Sequence, residues 1–204
     1  DRYLNRLDPG KQLFTTQNVD QLKQYQYRFD NDLKKGRLDT AFTIFNLYMD
    51  RSKERLEYIL TLIKTWEKNL DFTKNESMTI DPDLRQWKDN KDALYFLWKK
   101  ELKNHIISLM LDDQKKALIS DTLEKIYSNR LHRLLQTNSN DIFQIFMNSV
   151  TTSFDPHTQF FPPRASEDFD IHMSLSLEGI GAVLQTENEY TKVIRLIPKG
   201  PADK

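Results

Sequence analysis

Gly179 and Gly181 stand two positions apart at the head of an apolar run, in a chain of 204 residues with only five glycines. Glycines at that spacing let backbone N–H groups converge on an anion, or they relieve a tight turn. The dinucleotide pattern GxGxxG fails, because position 184 is Leu and no helical pattern follows. What remains is Gly179-Ile180-Gly181-Ala182 leading straight into a strand-like segment. Two readings stay open on the residues alone: an anion-holding loop, or a glycine bulge at a strand start.

Other chemistry-bearing residues are scattered. The four histidines, His105, His132, His157 and His172, never pair at i+3 or i+4, and HExxH is absent, so no metal or other cofactor is expected. Asp112 and Asp113 sit at an expected helix start, where the dipole and free N–H groups favour carboxylates. The basic cluster "LWKKELKNH", 97–105, is interrupted by Glu101 and reads as a solvated helix face. Asn75-Glu76-Ser77 matches the glycosylation sequon, a short pattern that chance alone supplies. No serine lies on a GxSxG turn, but serine and lysine are both plentiful, so a Ser–Lys dyad stays open on the residues alone. The absence of cysteine removes disulfides, thiolate nucleophiles and cysteine metal sites together.

Thirty basic residues balance thirty acidic ones, which argues against the broad attraction to phosphate of most nucleic-acid binders. No uncharged run approaches the ~18 residues of a membrane span.

The elements that must carry these residues divide at Pro156. Before it, glycine and proline occur only at Pro9, Gly10, Gly36 and Pro82; after it they crowd. A helical region therefore comes first. Asn18 is expected to cap a stripe of Val19, Leu22, Phe29 and Leu33 that closes at Gly36. From Leu38 an apolar stripe runs to Trp66, as one long helix or two broken near Asp50. "FTKNESMTIDPDL", 72–84, reads as a loop. A third helical region carries Leu84, Trp87, Leu94, Leu97, Trp98 and Leu102, and a fourth runs from Leu118 to Leu134. A fifth, capped by Asn138 or Ser139, places Ile142, Phe146, Val150 and Phe154 on one face and stops at Asp155-Pro156. Two strand-length segments follow, joined through 187–189, and "PKGPADK" reads as a turn.

Gly179-Ile180-Gly181-Ala182 before a strand resembles the carboxylate-binding loop of PDZ domains, where backbone N–H groups hold a peptide's terminal carboxylate and the peptide adds as a strand. Around it, "DPHTQFFPPRASEDF" (155–169) and "MSLSLEGIGAVLQ" (173–185) resemble the tail-specific proteases, or C-terminal processing peptidases. So do "DRYLNRLD" (1–8), "DTAFTIFNLY" (39–48) and "HRLLQTNSNDIF" (132–143). The resemblance implies a mainly α chain: an all-helical domain at 1–173, then the first β-strands of a PDZ domain at 174–204, with the chain stopping inside that domain. It also implies a periplasmic serine endopeptidase using a serine and a lysine, neither of which matches a position in 1–204. The expected partners are C-terminal segments of substrate proteins and an adaptor lipoprotein, with no nucleic acid and no transmembrane span. Gly179, Ile180, Gly181 and Ala182 are the expected substrate-binding residues. The rivals are a non-catalytic helical–PDZ adaptor that binds protein C-termini and a helical nucleic-acid binder.

Overall fold

A 25-residue helix free of glycine and proline, α4 (Asp39–Ile63), organises the first part of the chain and spans about 37 Å. It is continuous through Asp50, so the stripe from Leu38 forms one helix as far as Ile63, with Trp66 starting the separate short α5 (Trp66–Asn69). The computed structural model describes residues 2–112, 115–174, 179–187 and 190–203.

Two apolar clusters use opposite halves of α4. In the first, Ala41, Ile44 and Phe45 pack with Tyr3 and Leu7 of α1 (Arg2–Leu7), Phe14, Leu22 of α2 (Thr16–Leu22) and Phe146 of α8 (Ser139–Phe154). In the second, Leu56, Ile59, Leu62 and Ile63 meet α6 (Lys91–Leu111) and α7 (Lys116–Leu135) through residues such as Trp98, Leu102, Ile106 and Leu123. The i, i+4 spacing of Leu94, Trp98, Leu102 and Ile106 puts one face of α6 wholly into this core.

The cap of α2 is Thr15, not Asn18. Asn18 occupies the third helical position and closes the box: its N–H donates to Thr15 Oγ1 and its Oδ1 accepts from the Thr15 N–H, each at 3.2 Å. The stripe from Val19 to Leu33 is not one helix either. A 3₁₀ turn at Lys23–Tyr25 separates α2 from α3 (Phe29–Lys34), and the Phe29 ring packs tilted against that of Phe146 at 5.4 Å, a tertiary contact that overrides local propensity. Gly36 ends α3 with φ +63°, as its C′ position requires: its N–H reaches Leu33 O at 3.0 Å and that of Arg37 reaches Asp32 O at 2.8 Å. Leu84 and Trp87 lie before α6 rather than in it. Asn138 caps α8, whose end at Phe154 precedes Asp155-Pro156 as expected, but Phe154 itself is 88% exposed.

The described residues form two compact units, 1–160 and 161–204. The second contains α9 (Pro163–Ser174), a helix opening on proline where the missing N–H costs nothing, and an antiparallel pair, β1 (Ala182–Glu187) and β2 (Tyr190–Leu196). The molecule is thus mainly α-helical with a small sheet near its C-terminal end. The expected strand stretch begins at 174, yet 175–178 lie outside the described residues and β1 starts only at Ala182. Positions 188 and 189 of the expected connection also lie outside them. Among the described residues no helix is long and apolar enough to cross a membrane.

Candidate functional site

The glycine loop owes its shape to the turn after β2. Gly181 has φ +77°, a left-handed conformation that disfavours any residue with a Cβ. A Cβ there would also lie 2.8 Å from Pro201 Cδ and 3.1 Å from Gly200 Cα. The Ile197 N–H donates to Gly181 O at 2.8 Å, and the Ala202 N–H to Ile180 O at 3.0 Å. The turn itself is held by the Gly200 N–H on Ile197 O at 2.9 Å and the Lys199 N–H on the Asp203 carboxylate at 2.8 Å. Gly181 is therefore required by its own chain: the carbonyls of the loop are tied down and its backbone is pressed against Gly200-Pro201.

The four expected residues form one short segment at the head of β1. Gly179 and Ile180 precede the strand, Ile180 being 61% exposed, and Ala182 is its first residue. Ala182 pairs with Leu196, and the bond from the Ile197 N–H to Gly181 O makes that a non-hydrogen-bonded pair. The Ala182 N–H consequently points away from β2, towards an edge of β1 unpaired among the described residues. The ladder does contain a bulge, but at Val183/Leu184, with Ile194 of β2 as the extra residue, and not at the glycines.

The ionisable groups of the helical unit hold structure together. Asp8 is buried and accepts N–H bonds from Gln12 (2.8 Å), Leu13 (2.8 Å) and Phe14 (3.2 Å); burial pushes its carboxyl up against the downward pull of those bonds. Glu101 bridges Arg55 at 2.9 Å and Arg85 at 3.1 Å, tying α4 and the segment before α6 to α6. Burial raises Glu54, but bonds from the Tyr95 hydroxyl (2.7 Å), Arg51 (2.6 Å) and Lys91 (3.2 Å) outweigh it and hold the carboxyl low. Ser120 accepts from the Trp66 indole at 3.0 Å, and Ser149 bonds back to Ile145 O at 2.8 Å, one helical turn earlier. Among the described residues no group of three or more His, Cys, Asp or Glu side chains is placed to hold a metal ion.

The cluster at 97–105 departs from a solvated face. Trp98 is in the core, and Lys103, 8% exposed, donates to Asp71 O at 2.6 Å and pairs with Glu76. Its role as a strap on a distant loop has no periodic signature in the sequence.

These features accompany a plain relationship. The family model for the tail specific protease N-terminal domain matches residues 1–164, and the chain belongs to the tail-specific protease family. Along its whole length it is also similar to the Tail-specific protease of Haemophilus influenzae, 35% identical over 205 aligned residues. The chain spans 29% of the length of that relative.

Proposed function

We propose that residues 1–204 form the non-catalytic N-terminal part of a periplasmic serine endopeptidase that recognises proteins by their C-termini. The helical domain, 1–173, is the scaffold and offers the surface on which an adaptor lipoprotein docks. Residues 174–204 begin the PDZ module that admits substrate, and the catalytic serine and lysine lie outside 1–204. Gly179, Ile180, Gly181 and Ala182 shape the loop that meets the substrate's terminal carboxylate.

What carries this reading is a left-handed glycine set directly before a strand whose outer edge is unpaired among the described residues, in a chain of this family. N–H groups at Ile180, Gly181 and Ala182 suit a carboxylate, and the outer edge of β1 suits an added peptide strand. The test uses the complete natural protein and a peptide with an apolar C-terminus, as free acid and as amide. Hydrogen bonds to a charged group contribute about 1.5–3 kcal/mol, so the acid should bind roughly tenfold tighter or more. Ala182→Pro deletes the outward N–H without removing a bond to β2, to which that residue donates nothing, and should abolish the preference for the acid. A preference that survives in the Ala182→Pro protein, or equal affinity for acid and amide, assigns the glycines to turn geometry alone.

A further inference from the structure

Helix α6 has one face in the core and, beside it, a second stripe that mixes apolar residues and lysines. The second carries Phe96, Lys100, Lys103 and Ile107 at the four-three-four spacing of a helical stripe. Phe96 is 53% exposed and Ile107 is also exposed, although core residues occupy the positions between them. The 71–88 connection lies across this stripe; its ends pack through Phe72 on Trp66 and Trp87 on Phe14, and between them it is fastened by cations. Lys103 Nζ donates to Asp71 O at 2.6 Å, Lys100 Nζ to Ser77 O at 2.9 Å, and Arg85 Nε to Thr79 O at 2.8 Å. Beneath the connection are two adjoining hollows of about 440 Å³ and 270 Å³ that share Ser77, Met78 and Lys100 as lining.

Three properties of this groove specify an occupant. Its apolar surface is unusually bare, with Ile80, Leu84 and Phe96 all open to solvent, which marks an interaction surface more than a protein exterior. The larger hollow is lined by no carboxylate and by Arg85, Lys88 and Lys100, of which Arg85 is neutralised by Glu101 at 3.1 Å while Lys88 has no ion-pair partner among the described residues. Glu76 lines the smaller hollow, where it is paired with Lys103. Finally, none of the backbone N–H groups of 76–80 donates to a described residue, so a run of main-chain donors borders the groove. Cations, bare apolar side chains and free backbone donors together fit a peptide, and one that brings acids.

We propose that this groove is a docking site for an extended, acid-rich and apolar segment of a second polypeptide. Its apolar side chains seat against Phe96 and Leu84, its carboxylates face Lys88 and Lys100, and its backbone accepts bonds from 76–80. Phe96 to Ile107 spans about 16 Å of helix, which about five residues of extended chain would cover. The site is in the helical unit and does not depend on the glycine loop.

The complete natural protein is titrated with a labelled octapeptide of alternating leucine and aspartate, amidated at its C-terminus so that no terminal carboxylate is present. The peptide should bind at least tenfold tighter than its leucine–lysine counterpart. Lys88→Glu, at a side chain that tethers nothing to the loop, and Phe96→Asp, which removes the ring that Lys100 Nζ overlies at 4.5 Å but leaves the Lys100 bond to Ser77 O available, should each weaken it at least tenfold, while Ala182→Pro leaves it unchanged. The proposal is overturned by absence of binding, by equal affinity for the acidic and basic peptides, or by either groove variant leaving affinity within twofold. It is also overturned if the 76–80 amides are already protected from hydrogen exchange in the peptide-free protein, because the protein's own chain then fills the groove.

Discussion

The helical unit and the β-hairpin solve the problem of apolar surface in opposite ways. In the first, Phe14, Ile59, Leu102, Ile106, Ile119 and Leu123 are sealed from water within the chain itself. In the second, every described residue of β2 is exposed, among them Val193, Ile194 and Leu196, and Leu184 faces solvent across the ladder from Val193. An isolated two-stranded hairpin is marginal in water, since it has no third layer to cover its apolar side. The helices therefore supply the stability of residues 1–204, and the hairpin supplies a shape. Its order rests on the Gly181 turn and its bonds to 197–202 rather than on burial.

The broadest way to break this comparison is native-state hydrogen exchange on the 204-residue chain. Amides of α4, α6 and α7 should exchange only with global opening, slowed on the order of a thousandfold or more relative to amides of β1 and β2. Equal protection in the two regions would mean that the hairpin has found cover and that the contrast is wrong.

Single substitutions sharpen it. Glu101→Ala leaves Arg55 and Arg85 without their shared partner where both are largely screened from water, and should destabilise by about 3–5 kcal/mol in urea unfolding. Phe146 is 3% exposed, with Tyr3 and Phe29 each 5.4 Å away ring to ring, so Phe146→Ala should cost about 3–5 kcal/mol. Phe154, two turns on in the same helix, should cost less than about 0.5 kcal/mol on the same change. Similar losses at the two phenylalanines would show that the apolar face of α8 continues past its observed contacts. At Val193 in β2, substitution by Ala should likewise fall near zero for unfolding of the helical unit.

Much of this division is legible in the sequence. Long glycine-free stripes give α4, α6, α7 and α8, and Asn138 with Asp155-Pro156 bounds α8, because in each case a local pattern and the tertiary contact agree. Where they disagree the reading fails. Val19, Leu22, Phe29 and Leu33 keep helical spacing, but the pull of Phe29 onto Phe146 splits the helix at Lys23–Tyr25. Phe154 keeps the spacing of α8 yet has nothing opposite it. The charged, weakly apolar pattern of residues 163–174 hides α9 as a separate helix. At the candidate loop, the glycine pair and the following strand are readable, but the contact that demands Gly181 comes from Gly200-Pro201, about twenty residues away in sequence. The groove on α6 is illegible for a related reason: its far wall is an aperiodic connection, and lysines that look solvated are the straps.

Acid sensitivity offers a small effect that should appear in the helices and not in the hairpin, since 179–203 contains no histidine. His105 on α6 lies half-buried with its ring 5.9 Å from that of Tyr127, and burial, helped by the nearby Arg130 guanidinium, holds its imidazole below the ordinary 6.5. In the unfolded chain the same group takes up its proton near pH 6.5. Between that value and the lower folded one, the unfolded state binds more protons than the native state, so stability falls as pH falls through this window. Glu54, held below the ordinary 4.5, keeps its stabilising contribution throughout the window and loses it only at lower pH, which separates the two groups. His105→Gln should therefore flatten the decline in melting temperature between about pH 7 and 5.5, read from the helical circular dichroism signal. The effect should be a few degrees at most, because the ring is only half-buried. Parallel melting curves for the two proteins across that range would remove His105 as the source, and a decline seen only in the hairpin would overturn the assignment of stability to the helices.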